Sequence, residues 1–244
     1  SDMGLVLQSV VQLFIGFIIA ISFIMIRSEF TFYYLMHSII MVMMGMMIIS
    51  EFTTILFDTS ENSIIIPLPV KGNTLSLARN VHILLYLLLI AFSLSIPALI
   101  IGVFKFGIIS GVVFLFSIIL NVTFTLLIAN MLYLVLMQMA SGERLKNIMM
   151  YIQICIAILF MGAYQFGTIL IDKTHIADLT LPIYWYTHFI PPAIFAGLVE
   201  TFSIGAFDFQ HLLFVVESLL IPICSLWITT RFLTPVFNQK LLYL

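Results

Sequence analysis

Long apolar stretches separated by short polar ones recur along the chain, and their length selects the solvent. A helix rises about 1.5 Å per residue, so roughly 20 apolar residues cross a bilayer core. Six stretches reach that length and predict spans at about 4–26, 34–57, 81–104, 108–139, 148–171 and 212–232. Gly4 to Ile26 is free of charge, Tyr34 to Phe57 carries only His37 and Glu51, and the last stretch carries Glu217. Phe106 to Gly142 is charge-free over more than a bilayer thickness, which implies tilt or continuation into solvent. The expected fold is all-α and polytopic: one transmembrane domain over residues 1–244.

Two connections exceed tight turns. The first, 58–80, reads DTSENSIIIPLPVKGNTLSLARN, in which Pro67 and Pro69 forbid a continuous helix. Asn73 or Thr74 can cap a short helix through Leu75, Leu77 and Arg79, expected to lie at the membrane surface. The second, 172–211, carries Tyr184, Trp185 and Tyr186, rings suited to the headgroup belt. After them Pro192 to Phe202 is apolar but too short to span, which predicts a re-entrant or interfacial helix beginning at the prolines.

Charge orients the spans. Lys71, Arg79, Arg144, Lys146, Arg231 and Lys240 fall on one side and Arg27, Lys105 and Lys173 on the other. Cations are retained in the cytoplasm, so both termini are expected there. The chain is 63% hydrophobic and 8% charged with a net charge of −2, which excludes a soluble fold and leaves no basic face for nucleic acid. Cys155 and Cys224 lie in apolar stretches and read as buried thiols, not as a disulfide or a metal cluster. Five scattered histidines form no HExxH and no i,i+4 pair, and the fourteen methionines read as apolar filler, so no metal site is expected.

Within the spans the polar groups are few. Glu217 can face a translocation path or pair with the outer loop, whereas Glu51 suits an ion pair with Arg79 or Arg144. Gln8 and Gln12 share one helix face. Asn121, Thr125 and Asn130 place amides and a hydroxyl along the fourth span, where they either pack helices together or line a path.

The order of Asp58, PLPV at 67–70 and LSLAR at 75–79, followed later by PPAIFAGLVE at 191–200, resembles the permease subunits of type-2 ABC transporters, the exporter-like class. Ile194 stands where an aromatic is usual in that family, and the amphipathic helix that commonly precedes the first span is missing or truncated before Gly4, as in a segment of a longer protein. The resemblance implies coupling to an ATPase through Asp58, Glu61, Pro67, Pro69, Lys71, Thr74 and Arg79, and an outer re-entrant segment containing Pro191, Pro192, Phe195 and Glu200. It also implies a partner nucleotide-binding subunit that carries ATP and Mg, a second permease protomer, identical or not, and a bacterial plasma membrane. Export of a hydrophobic or amphipathic compound by alternating access follows, with no catalytic residue and no cofactor in this chain. No GxxxxGK[ST] occurs, so a phosphate-cradling loop is absent from the sequence itself. Two other classes stay open: a membrane-embedded enzyme acting on lipid, for which Asp58 and Glu61 are the close acidic pair, and a non-catalytic anchor for a soluble partner.

Overall fold

A computed structural model describes residues 2–57, 72–139, 143–171 and 179–228, and these are helical with no strand. The helices are α1 (Asp2–Ser22), α2 (Glu29–Phe57), α3 (Gly72–Phe106), α4 (Ile108–Met139), α5 (Glu143–Ile171), α6 (Pro191–Ile204) and α7 (Phe209–Ile228), with a single 3-10 turn at Trp185–Phe189 before α6. Among the described residues, five helical stretches are long and apolar enough to cross a membrane: Met3–Ser22, Glu29–Ser50, Val81–Phe106, Ile108–Tyr133 and Phe209–Ile228. The chain is an integral membrane protein whose outer surface is apolar because lipid covers it.

Local chemistry sets the helix ends. Ser28 Oγ accepts from the Thr31 amide at 3.3 Å, capping α2 just ahead of Glu29 in its first turn. Between α3 and α4 the connection is Gly107 alone, at φ +106°, a conformation that side chains resist. Pro191 and Pro192 open α6, where missing amide hydrogens cost nothing, and Gly205 closes it in the left-handed region.

Residue pairings give the directions of the helices. Tyr86 Oη donates to Gln8 Oε1 at 2.5 Å and Gly16 abuts Leu94, so α1 and α3 run the same way. Tyr33 meets Ser110 and His37 meets Ser117 and Asn121, which makes α2 and α4 parallel. Because Gly102 near the end of α3 lies under Tyr33 near the start of α2, the two pairs are antiparallel to each other. The end at which α2 begins also holds the start of α7, since the Phe30 and Phe214 rings are 6.2 Å apart. The cation balance predicts that this end faces outward, and it carries the label outer end on that expectation. Leu181 reaches that same end, its amide donating to Thr31 Oγ1 at 3.0 Å, while Met149 and Ile152 of α5 share an apolar pocket with Ile49 and Tyr133 at the opposite end.

Helix α2 is the centre of the bundle: from Glu29 to Ile49 no residue is exposed. Its core includes Phe32, Tyr33, Met36, Ile40, Met44 and Ile48, all 1% exposed or less. Around it sit α4, α6 and α3, while α1 packs chiefly on α3.

Two expectations are corrected here. Residues 72–80 are not a separate helix along the surface but the first turns of α3, which runs unbroken to Phe106 because no proline interrupts it before Pro97. Cys155 and Cys224 are exposed, because an apolar segment in lipid need not turn inward.

Candidate functional site

The hairpin of α6 and α7 holds the densest chemistry. Thr201 Oγ1 lies 3.3 Å from the His211 carbonyl, Gly197 sits against the Phe214 ring, and His188 Nδ1 lies 2.9 Å from Glu217 Oε2. This register makes α6 antiparallel to α7 along its outer half, so the chain descends from Leu181 to His188 and climbs back through α6 without crossing. Eight residues separate Phe209 from Glu217, which places the His188–Glu217 pair about 12 Å below the start of α7. The His188 ring also stacks on Phe214 at 4.1 Å, and Phe214 is fully buried.

From α6 the Phe195 ring reaches toward His37 at 5.8 Å and Phe124 at 6.1 Å. There the bundle holds a polar knot. His37 is fully buried, with Nε2 3.0 Å from Ser117 Oγ and Nδ1 3.1 Å from Asn121 Nδ2. Asn121 Nδ2 also donates to the His37 carbonyl at 3.1 Å, and Thr125 Oγ1 donates to the Asn121 carbonyl at 2.8 Å. An amide donating to Nδ1 requires that nitrogen to be the acceptor, so the ring proton sits on Nε2 and points to Ser117. The knot is thereby closed: every ring atom able to hydrogen-bond has a partner.

One turn nearer the outer end, Tyr33 Oη and Ser110 Oγ are 2.5 Å apart. Glu29 and Glu200 approach this level together with Ser110 and Ser203. His211 binds Asp208 through Nδ1, and its Nε2 lies 3.9 Å from Glu200 Oε2. Burial pushes the Glu200 carboxyl above the ordinary carboxylate value; His211 draws it back and Glu29 raises it further. Among the described residues no three His, Cys, Asp or Glu side chains converge as metal ligands.

The predicted residues thus fall into three groups. Asn121 and Thr125 sit in the polar knot, whereas Asn130 lies lower on α4, 9% exposed, with its Nδ2 buried and unpartnered. Glu217 meets the outer loop through His188, and Pro191, Pro192, Phe195 and Glu200 all belong to α6. Asp58, Glu61, Pro67, Pro69 and Lys71 lie outside the described residues; Thr74 and Arg79 lie in the helical backbone of α3, their side chains and that of Glu51 outside the description. His37 and Ser117 of the knot, and the Tyr33–Ser110 pair one turn away, were not singled out as site residues. The spacing Glu29, Tyr33, His37, one helical turn at each step, is the signal that marks them. Compared with known proteins, the chain matches no protein-family model, and no curated protein or solved structure matches it significantly.

Proposed function

We propose that the chain is the membrane-spanning permease subunit of an ATP-binding-cassette transporter of the type-2, exporter-like class, moving a hydrophobic or amphipathic compound by alternating access. The observation that carries this reading is the re-entrant hairpin. PPAIFAGLVE, one of the two segments on which the resemblance rests, forms the helix by which the chain, having descended to His188, climbs back beside α7 to the same face. A helix that only half crosses is costly unless its ends are satisfied, and here it contacts α2, α4 and α7. Such an element suits a path that is closed by default on one side.

The topology supports six crossings. Helix α5 starts beside Ile49 at the inner end, and the chain is at the outer end by Leu181, where it bonds Thr31. The 29 residues of α5 measure about 44 Å, enough to make that return. With six crossings both termini share a side, and the cation balance puts that side in the cytoplasm of a bacterial plasma membrane. The loop before α3 then faces a nucleotide-binding subunit, which carries ATP and Mg. Because α3 is continuous from Gly72 through Pro97 to Phe106, a push on the segment before it is passed along one helix of 35 residues toward the outer end. A second protomer completes the path.

Purification from the native membrane tests the reading: an ATPase should accompany the chain, and ATP should drive solute movement in reconstituted vesicles. Reversing Lys71 and Arg79 to Glu should abolish transport at least tenfold while the ATPase subunit retains its own turnover. Unchanged ATP-driven transport in that variant, or purification with no ATPase, contradicts the proposal.

A further inference from the structure

At the outer end of α6 the last turn leaves the core. Ala193 to Val199 and Thr201 are buried, whereas Phe202 and Ile204 are exposed and Gly205 ends the helix at φ +69°. What holds this turn down is polar. Ser203 of α6 and Ser110 of α4 donate to the Glu29 carboxylate of α2, so one side chain joins three helices. Because the Ser110 proton goes to Glu29, Tyr33 Oη, 2.5 Å from Ser110 Oγ, is the donor in that pair.

Glu200, one turn before Ser203, faces the same place: Glu29 acts on it electrostatically, and so does His211 of α7. Its side chain is 18% exposed and its Oε2 has no hydrogen-bond partner, the His211 Nε2 being 3.9 Å away; Glu29 Oε1 is buried and unpartnered too. Two like charges in a site that water hardly enters repel strongly, and a proton on one of them removes the repulsion. Burial, the largest influence, accordingly holds the Glu200 carboxyl above the ordinary carboxylate value. A route from water exists: Asp208, 58% exposed, is bonded to His211 Nδ1, and the other ring nitrogen faces Glu200.

The remaining ionisable groups around α6 lie elsewhere or are engaged. The one such residue of α4, Tyr133, is near the opposite end of the bundle, and the His188–Glu217 pair sits at the other end of α6. Lys105 donates to the carbonyls of Ile24 and Ile26, and Arg27 belongs to the connection before α2.

We infer that Glu200 and Glu29 form a proton-operated latch: with one proton shared between them the last turn of α6 is fastened to α2 and α4, and loss of that proton to water by way of His211 and Asp208 drives Glu200 and Ser203 away from Glu29. Fastening and protonation support each other, because the carboxyl binds its proton more tightly in the fastened turn than in a released one. The contribution is complete below the ordinary carboxylate range and disappears as pH rises through the raised value. The latch responds to the compartment that the outer end faces, and it holds whether or not the chain is a transporter.

Hydrogen exchange of the purified chain in dodecyl maltoside, followed by mass spectrometry and corrected for the intrinsic pH dependence of amide exchange, reads the latch directly. In the wild type, protection of the amides at 201–206 should fall several-fold as the pH rises from about 5 to about 8, while protection at 194–199 stays constant. Glu200→Gln keeps the shape of the protonated acid and has no proton to release, so its last turn should stay protected throughout. Glu29→Gln removes the same repulsion from the other side and should behave alike, which keeps the test decisive if one variant fails to fold. Glu217→Gln, at the other end of α6, should retain the wild-type response. Wild-type protection that does not change with pH, a response that persists unchanged in either of the first two variants, or its loss in Glu217→Gln alone overturns the proposal.

Discussion

Replacing Gly16 with leucine is expected to separate α1 from the bundle. A Cβ at this position would land on the carbonyl of Leu94, a backbone atom that cannot rotate away. Overpacking usually costs about 1–3 kcal/mol, and the upper end applies where the obstacle is main chain. The consequence is local, because α1 packs chiefly on α3 and otherwise presents Met3, Leu7, Phe14 and Phe17 to lipid. The Tyr86–Gln8 hydrogen bond, two turns away on the same interface, should be lost with it. Gly162 provides the control: nothing lies within 4 Å of a Cβ there, so Gly162→Leu should be neutral or slightly stabilising through helix propensity. Equilibrium unfolding in mixed micelles measures both. A Gly16→Leu chain as stable as the control would show that α1 and α3 do not approach as described.

The second large effect is expected at the polar knot. Asn121 makes two hydrogen bonds to His37, one to the ring and one to the carbonyl, and both residues are fully buried. Single interhelical hydrogen bonds in membranes average about 0.6 kcal/mol and reach about 1.7. Two bonds with no water to replace them place Asn121→Leu near 2 kcal/mol. His37→Leu should cost less, because only the two ring bonds are lost: Asn121 still donates to the carbonyl of residue 37 and Ser117 to that of Phe114. The double variant is the informative one. If the bonds are real, removing both partners costs clearly less than the sum of the two single changes. Strict additivity in a double-mutant cycle would mean that His37 and Asn121 do not touch.

These two expectations come from contacts that residue type alone does not announce. Gly16 is one small residue in an apolar run; what makes it matter is a carbonyl of another helix. His37 is one of several polar residues in its span, and its partners lie eighty and eighty-four residues later. Of the six expected spans, the run at 148–171 is not among the five described helical stretches long and apolar enough to cross, and the other five were legible, because charge-free runs of about twenty residues have few alternatives to lipid. So was the start of α6, since two adjacent prolines after an aromatic cluster can open a helix but not continue one. The continuity of α3 was not legible. Polar residues at 72–80 marked where the chain leaves the bilayer, and leaving the bilayer does not end a helix that has neither proline nor an internal glycine to stop it before Pro97. Glu217 was legible as an intramembrane acid able to reach the outer loop, but its partner required the fold, which brings His188 down beside it. The cysteines misled for a related reason: in lipid, apolar surroundings are found outside the bundle as well as inside it.

Coupling to an ATPase, as proposed, requires the segment between α2 and α3 to face the cytoplasm, so the compartment at each end of the bundle decides it. In a background with Cys155 and Cys224 replaced by serine, single cysteines are introduced at Ser63, in the segment between α2 and α3, and at Ala206 in the turn after α6. Intact cells are then treated with a membrane-impermeant maleimide. Labelling at 206 in intact cells, with labelling at 63 only after permeabilisation, is the predicted result. Labelling of both in intact cells, or of 63 alone, contradicts the orientation and with it the coupling of this chain to a motor inside the cell.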